Sequence, residues 1–421
     1  MQASDDDAGA TAEMVARRSY GKLVAVLASR HCDLAAAEDA LADAFAAALR
    51  AWPISGTPEN PEAWLLTVAR RRQADDARRK STQQGAERHL AMLSDELETS
   101  REGMDHDAIP DRRLGLMFAC AHPAIDANVR TPLILQTILG FDAKDIAGAF
   151  LVSPTAMSQR LVRAKAKIKH ARISFSIPDP DVLPERLDHV LDAVYACFTA
   201  GWSDAFSLDS GPNDLSGEAV WLGRMLVKLL PDHPATSGLL ALMLFAEARR
   251  RARRDPEGRF VPLSKQDVAL WDVGKIEEGN SLLRAALANG ELERFQLMAA
   301  IQSAHVARCA TGRTDWPAIV LLYDALYSLT QSPVVAINRA MAIGEDKGWS
   351  AGLDALASAE VDQAIFQYQP YWATKAELLG RAGDRDGMGE AFRMAVALSD
   401  DAAVRVYLEQ RRQYFLDAVA S

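Results

Sequence analysis

Apolar residues recur three and four positions apart along almost the whole chain, while the alternating Val, Ile and Thr runs that mark strands are scarce. The pattern predicts an all-α protein. Its first helix covers residues 12–30, with Val15, Leu23, Val26 and Leu27 on the buried side. Asp33 is placed to cap a second helix, Leu34 to about Trp52, on which Leu41, Phe45 and Leu49 lie four apart on one face. Three prolines and a glycine make WPISGTPENP a loop. Asn60-Pro61 then restarts a third helix, Glu62 to about Lys80, because a capping amide followed by proline suits a helix start. Residues 81–110 are polar, acidic and weakly periodic, and read as a flexible linker. Helical pattern resumes near Asp111 and breaks at His122-Pro123 and Gly140-Phe141. From residue 174 it continues as a succession of helices of roughly 12–20 residues, divided by turns at Pro178–Pro184, Pro231–Pro234, Asp255–Gly258, Thr311–Arg313, Ser332-Pro333 and Gly383-Asp384. Four segments follow: 12–80, 81–110, 111–173 and 174–421.

The sharpest local signal is AKDIAGAFLVSPTAMSQRLVRAKAKIKH, residues 143–170. A short helix from Lys144 to Phe150 meets a Leu-Val-Ser turn, with Ser153 as N-cap and Pro154 at the first position of the next helix. Ile146, Ala147, Met157 and Leu161 form the small core of a helix-turn-helix. Its second helix presents Thr155, Ser158, Gln159 and Arg160, side chains able to reach base edges in a major groove. Arg163, Lys165, Lys167 and Lys169 follow, suited to phosphates. The plainer alternative is an amphipathic helix with solvated lysines. The third helix places Trp64 near an arginine cluster, which fits stacking on an unpaired base or, more simply, a core tryptophan beside a solvated basic face.

Charge sharpens this picture. The net charge is −10, yet residues 69–80 hold six basic and two acidic side chains, and residues 143–172 hold seven basic side chains with Asp145 as the one acidic residue. Residues 81–110 between them hold seven acidic and two basic. Nucleic acid responds to local charge, since screening hides whatever lies beyond about 10 Å. Cys32, Cys120, Cys197 and Cys309 have no ligand spacing, which fits reduced thiols in a cytoplasm. No apolar run reaches the roughly 20 residues that span a bilayer, so no membrane partner is expected.

These segments together resemble the two core domains of extracytoplasmic-function sigma factors of the sigma-70 family. AEDALADAFAAALRAW is similar to the region 2 helix that docks on core RNA polymerase, with Glu38, Asp39, Asp43 and Phe45 matching and Ala42 standing where glutamine is common. WLLTVARRRQADDARR is similar to the segment that melts and reads the minus-10 element, matching at Trp64, Leu65, Ala69, Arg70, Asp75, Arg78 and Arg79. Arg71 replaces the usual asparagine there, and Gln73 and Ala74 replace apolar residues. The resemblance implies minus-10 contacts from Asn60, Trp64, Arg70, Arg71, Arg72, Arg78 and Arg79, and a loop, residues 53–60, that receives a flipped base. DRRLGLMFACAHPAI and the helix-turn-helix resemble region 4, implying minus-35 contacts from Thr155, Ser158, Gln159, Arg160, Arg163, Lys165 and Lys167. Downstream segments, from SFSIPDPDVLPERLDHVLDAVYACF onward, resemble the tetratricopeptide-like extension of one sigma subgroup. In its last unit Trp372 begins one helix, Gly383-Asp384 turns, and Phe392 and Ala395 lie on the next.

The implied partners are core RNA polymerase and promoter DNA, with a regulatory signal or partner protein at the C-terminal helices. No cofactor, metal site or catalysis is expected: the histidines are dispersed, phosphate-loop and zinc-protease motifs are missing, and Cys120 and His122 read as packing residues. A one-component regulator, whose helix-turn-helix binds an operator unaided, is the alternative. It predicts tight DNA binding without polymerase and leaves residues 34–80 without a role.

Overall fold

The computed structural model describes residues 2–29, 31–82, 112–150, 152–179, 181–204, 215–288, 292–357, 363–399 and 401–417. They divide into two compact units, the described residues up to 197 and those from 198 onward. The acidic linker therefore lies almost wholly outside the described residues.

In the first unit α1 (Gln2–Ala28), α2 (Leu34–Ser55) and α3 (Pro61–Thr82) pack on one another. Asp33 caps α2 by accepting from the Ala36 amide, and Asn60 accepts from the Ala63 amide at the start of α3. Val15, Leu23, Val26 and Leu27 are buried as the periodicity predicts. The buried face of α2 differs. It consists of Leu34, Ala37, Ala40, Leu41, Ala44, Ala48 and Trp52, while Phe45 is half-buried and Leu49 is 53% exposed. So many alanines surround the helix that large side chains alone misplace its inner face. Alanine is also what lets α2 lie close to its neighbours, with Trp52 filling the far end.

Next come α4 (Arg113–Cys120), α5 (Ala127–Leu139), α6 (Ala143–Ala149) and α7 (Pro154–Ala171). Every residue of α4 is buried. Asp126 caps α5, and Gly140 ends it in the left-handed region at φ 71°, where glycine carries no steric cost. Cys120 is fully buried against Thr137, 3.6 Å from its hydroxyl, and burial pushes its thiol up to about 12. It packs, and does not react. α8 (Leu183–Asp204) carries the chain out of this unit.

The second unit is also helical. α9 (Leu215–Leu229), α10 (Pro234–Ala248), α11 (Val273–Ala288) and α12 (Arg294–Val306) form one group. α10 is buried nearly all round, and Gly279 of α11 lies against the Phe245 ring where a Cβ would collide. The turn expected at Asp255–Gly258 is present, and around it residues 250–272 form three short 3-10 turns and an isolated bridge between Arg254 and Phe260, because Pro256, Gly258 and Pro262 interrupt the helical ladder. After a one-turn α13 (Arg308–Thr311) come α14 (Trp316–Thr330), α15 (Pro333–Lys347), α16 (Trp349–Leu356), α17 (Gln369–Ala382), α18 (Arg385–Ala397) and α19 (Ala402–Asp417), successive helices packing as neighbours. Trp372 stands on α17, Gly383 turns at φ 88°, Asp384 caps α18, and Phe392 and Ala395 are buried on it. No helix among the described residues is long and apolar enough to cross a membrane.

Candidate nucleic-acid interface

α6 and α7 form the expected helix-turn-helix. Ile146, Ala147, Met157 and Leu161 are all but inaccessible, and Ser153 accepts from the Ala156 amide with Pro154 next in line. The turn is thereby set by one cap and one fixed φ. Met157, Leu161, Ala164 and Ile168 anchor α7, which leaves Thr155, Ser158, Gln159, Arg163 and Lys167 exposed along one stripe. Arg160, half-buried, joins Arg163 and Lys167 in lining a cleft of about 300 Å³ against Asp126, Asn128 and Val129 at the start of α5. Three cations and the first amides of a 13-residue helix suit a phosphate, and Asp126 is already engaged in capping that helix.

On α3 the arginines Arg71, Arg72 and Arg78 are exposed and Arg70 is half-buried; the Arg79 side chain lies outside the described residues. Arg78 lies 3.6 Å from Asp75, and Arg72 lies 4.0 Å from Asp43 across to α2. Both are exposed pairs, weak enough to exchange for phosphate. Trp64 is half-buried and meets Trp52 edge-on, ring centres 5.5 Å apart. It is thus a wall of the bundle with one side left accessible. Asn60, besides capping α3, is exposed in the loop of residues 56–60, which is shorter than the sequence suggests because α2 runs on through Pro53 to Ser55. A connection that sequence reasoning missed fixes the angle of α3. Glu62 accepts from Ser19 and, at 3.0 Å, from Lys22, both on α1. Burial alone would raise the Glu62 carboxyl, but these two donors outweigh it and hold it below its ordinary value.

The acidic residues of α2 divide. Asp39 and Asp43 are exposed, whereas Glu38 is half-buried under α7. Lys165 donates to both Glu38 oxygens at 2.8 and 2.6 Å, and Lys169 lies 2.6 Å from Asp33. Burial raises the Glu38 carboxyl above its ordinary value, although Lys165 opposes the shift. One residue expected on DNA and one expected on polymerase therefore hold each other. Nothing in the sequence signals this, since the two lie 127 positions apart.

Among the described residues no cluster of three or more His, Cys, Asp or Glu side chains could hold a metal ion. His122 accepts from the Ala124 amide, and Arg130 ties the same loop through the Ile125 and Pro123 carbonyls. The second unit has a cavity of about 330 Å³, lined by His305, Arg308, Trp316, Glu377, Tyr407 and Arg411 among others.

Comparison with known proteins places these elements. The family model described as sigma-70 region 2 matches residues 16–83, from the middle of α1 through α3. A family of unknown function, DUF6596, matches residues 186–287. An uncharacterized protein, R00370, of Rhizobium meliloti (strain 1021) is 36% identical over 385 residues, covering 91% of this chain and 90% of its own length. No solved structure matches the chain.

Proposed function

The chain belongs to one family with that Rhizobium meliloti protein and carries a sigma-70 region 2 domain, and from this premise we propose that it is a sigma factor of the extracytoplasmic-function type. It binds core RNA polymerase and directs promoter-specific initiation, and it makes no bonds itself. The observation that carries the reading is the coincidence of the matched span, 16–83, with a three-helix bundle that presents acidic residues on α2 and arginines on α3. The helix-turn-helix of α6 and α7 supports a second DNA contact. Asp39, Asp43 and, once released, Glu38 dock on the polymerase, while Phe45 packs beside them. Asn60, Trp64 and the α3 arginines take the melted minus-10 strand. Thr155, Ser158, Gln159 and Arg160 read the minus-35 duplex while Arg163 and Lys167 hold its phosphates. Each contact alone is weak, and polymerase supplies the effective concentration that joins them. The second unit, tetratricopeptide-like in its paired helices, regulates this activity through a signal or partner protein. The protein acts in the cytoplasm, where polymerase meets promoters.

Multi-round transcription with purified core polymerase and the promoter upstream of the protein's own gene tests the reading. A start-site-specific transcript that disappears when residues 111–172 are removed is the expected result. Tight operator binding without polymerase, and no transcript, would transfer the protein to the one-component regulators.

A further inference from the structure

The cavity of the second unit is lined by two kinds of side chain. Trp316, Phe392 and Leu408, from α14, α18 and α19, supply apolar surface. Its charged lining sets Arg308, Arg381 and Arg411 against Glu345 and Glu377, so cations are in excess among the described residues. Arg381 and Arg411 are already engaged, since both donate to Glu377.

Arg308 is placed differently. Its Nη2 donates to the carbonyls of Leu263 and Gln266, at 2.6 and 3.0 Å, and its guanidinium lies 4.9 Å from the centre of the Trp271 ring. Its buried Nε finds no partner in the protein, and neither does the buried Nε1 of Trp271. Arg249 is near enough to feel the same charge, and it too is bonded to neutral oxygens, those of Phe245 and Gln302. Both arginines neighbour His305, which stays uncharged beside them and meets the Trp316 ring edge-on, ring centres 5.6 Å apart. Burial pulls the Arg308 guanidinium below its ordinary value, and no carboxylate opposes the shift. A partly desolvated cation held by neutral oxygens gains from an anion that completes its hydrogen bonds.

We propose that this cavity binds a small aromatic carboxylate, its anionic end on Arg308 and its ring against Trp316 and Phe392. The assignment concerns the second unit alone and rests on no part of the sigma-factor reading. Size and charge narrow the class. A volume of about 330 Å³ stands at the lower end of small-molecule sites and suits one or two rings, not a nucleotide. The two oxygens of a carboxylate match the planar fork of a guanidinium. Glu345, on the same lining, repels a phosphate dianion more strongly than a singly charged acid.

Isothermal titration calorimetry on the full chain tests the site with 2-naphthoate, its uncharged counterpart 2-naphthylmethanol, and inorganic phosphate. The acid should bind one to one. The alcohol should bind on the order of tenfold more weakly, as loss of a charge-assisted hydrogen bond implies. Phosphate in large excess should not displace the acid. Arg308→Met should remove the advantage of the acid over the alcohol. Because Arg308 also ties down the turn at 263–266, a second variant leaves it untouched: Thr374→Phe puts a ring into the cavity and should abolish binding of both compounds. No binding of the acid, equal affinity for acid and alcohol in the unaltered chain, or acid binding that survives Thr374→Phe overturns the site. A preference for the acid that persists in folded Arg308→Met overturns Arg308 as its anchor. Displacement by phosphate overturns the aromatic acid as its ligand class.

Discussion

Glu377 and His305, which both line the cavity of the second unit, show how single ionisable residues set the pH limits of that unit. Glu377 accepts from Arg411 at 2.8 and 2.5 Å and from Arg381 at 2.9 Å. Burial would raise its carboxyl, but the two guanidinium groups outweigh burial and hold it below its ordinary value. A depressed carboxylate contributes stability that is complete above its unfolded value and disappears as pH falls through the folded one. Glu377→Gln leaves Arg411 largely buried without its partner, so a loss of about 2–4 kcal/mol in urea unfolding at neutral pH is expected. That loss should shrink as the pH falls below the ordinary glutamate range and the folded carboxyl takes up its proton. His305 acts in the opposite chemical sense with the same outcome. Burial, then Arg249 and Arg308, push it down to about 4. The unfolded chain takes up a proton near pH 6.5 that the folded chain refuses, so stability is full above that pH and declines between 6.5 and 4. The decline amounts to at most about 3 kcal/mol. His305→Asn should flatten it, which thermal unfolding monitored across that range would show.

At the scale of elements, caps and turns were legible and faces were less so. Ser153-Pro154, Asp33 and Asn60-Pro61 each mark a helix start through local chemistry, and the structure uses all three. The apolar core of the helix-turn-helix could be read for the same reason, since its spacing is short-range. Phe45 and Leu49 misdirected the reading of α2 because an alanine-rich helix offers an apolar surface on every side, and only close neighbours decide which one is buried. The turn at Asp255–Gly258 was legible as well, because Pro256, Gly258 and Pro262 deny a helix its ladder there. The Lys165–Glu38 pair was illegible in principle, because complementary charges are common and their meeting depends on the whole tertiary arrangement. The cap of α7 gives a test at this scale. Ser153→Ala removes the acceptor of the Ala156 amide and should cost about 1 kcal/mol of local stability. Fraying then falls on Thr155 and Ser158, at the end proposed to read bases. Affinity of the holoenzyme for a minus-35 duplex should drop several-fold, while affinity for core polymerase holds, as competition binding would measure.

For the molecule as a whole, the acidic segment between α3 and α4 sets how far apart the two proposed DNA contacts can stand. Elements named minus-10 and minus-35 lie about 25 base pairs apart, about 85 Å along a duplex that rises 3.4 Å per pair. The helices themselves cover part of that distance, and the 29 residues 83–111, which reach at most about 100 Å, must supply the rest. Lengthening and shortening are therefore not symmetric. Ten added Gly and Ser residues cost little, since each doubling of a loop adds only about 0.6 kcal/mol of closure entropy. Deleting about 25 residues leaves a reach of about 14 Å, too short for both contacts to be made together. Such a deletion should still co-purify with core polymerase through α2. It should lose transcription from promoters that depend on both elements, whereas the lengthened chain keeps it. A deleted chain that initiated normally would mean that α3 and α7 never read the two elements together, and that the helix-turn-helix serves some other contact.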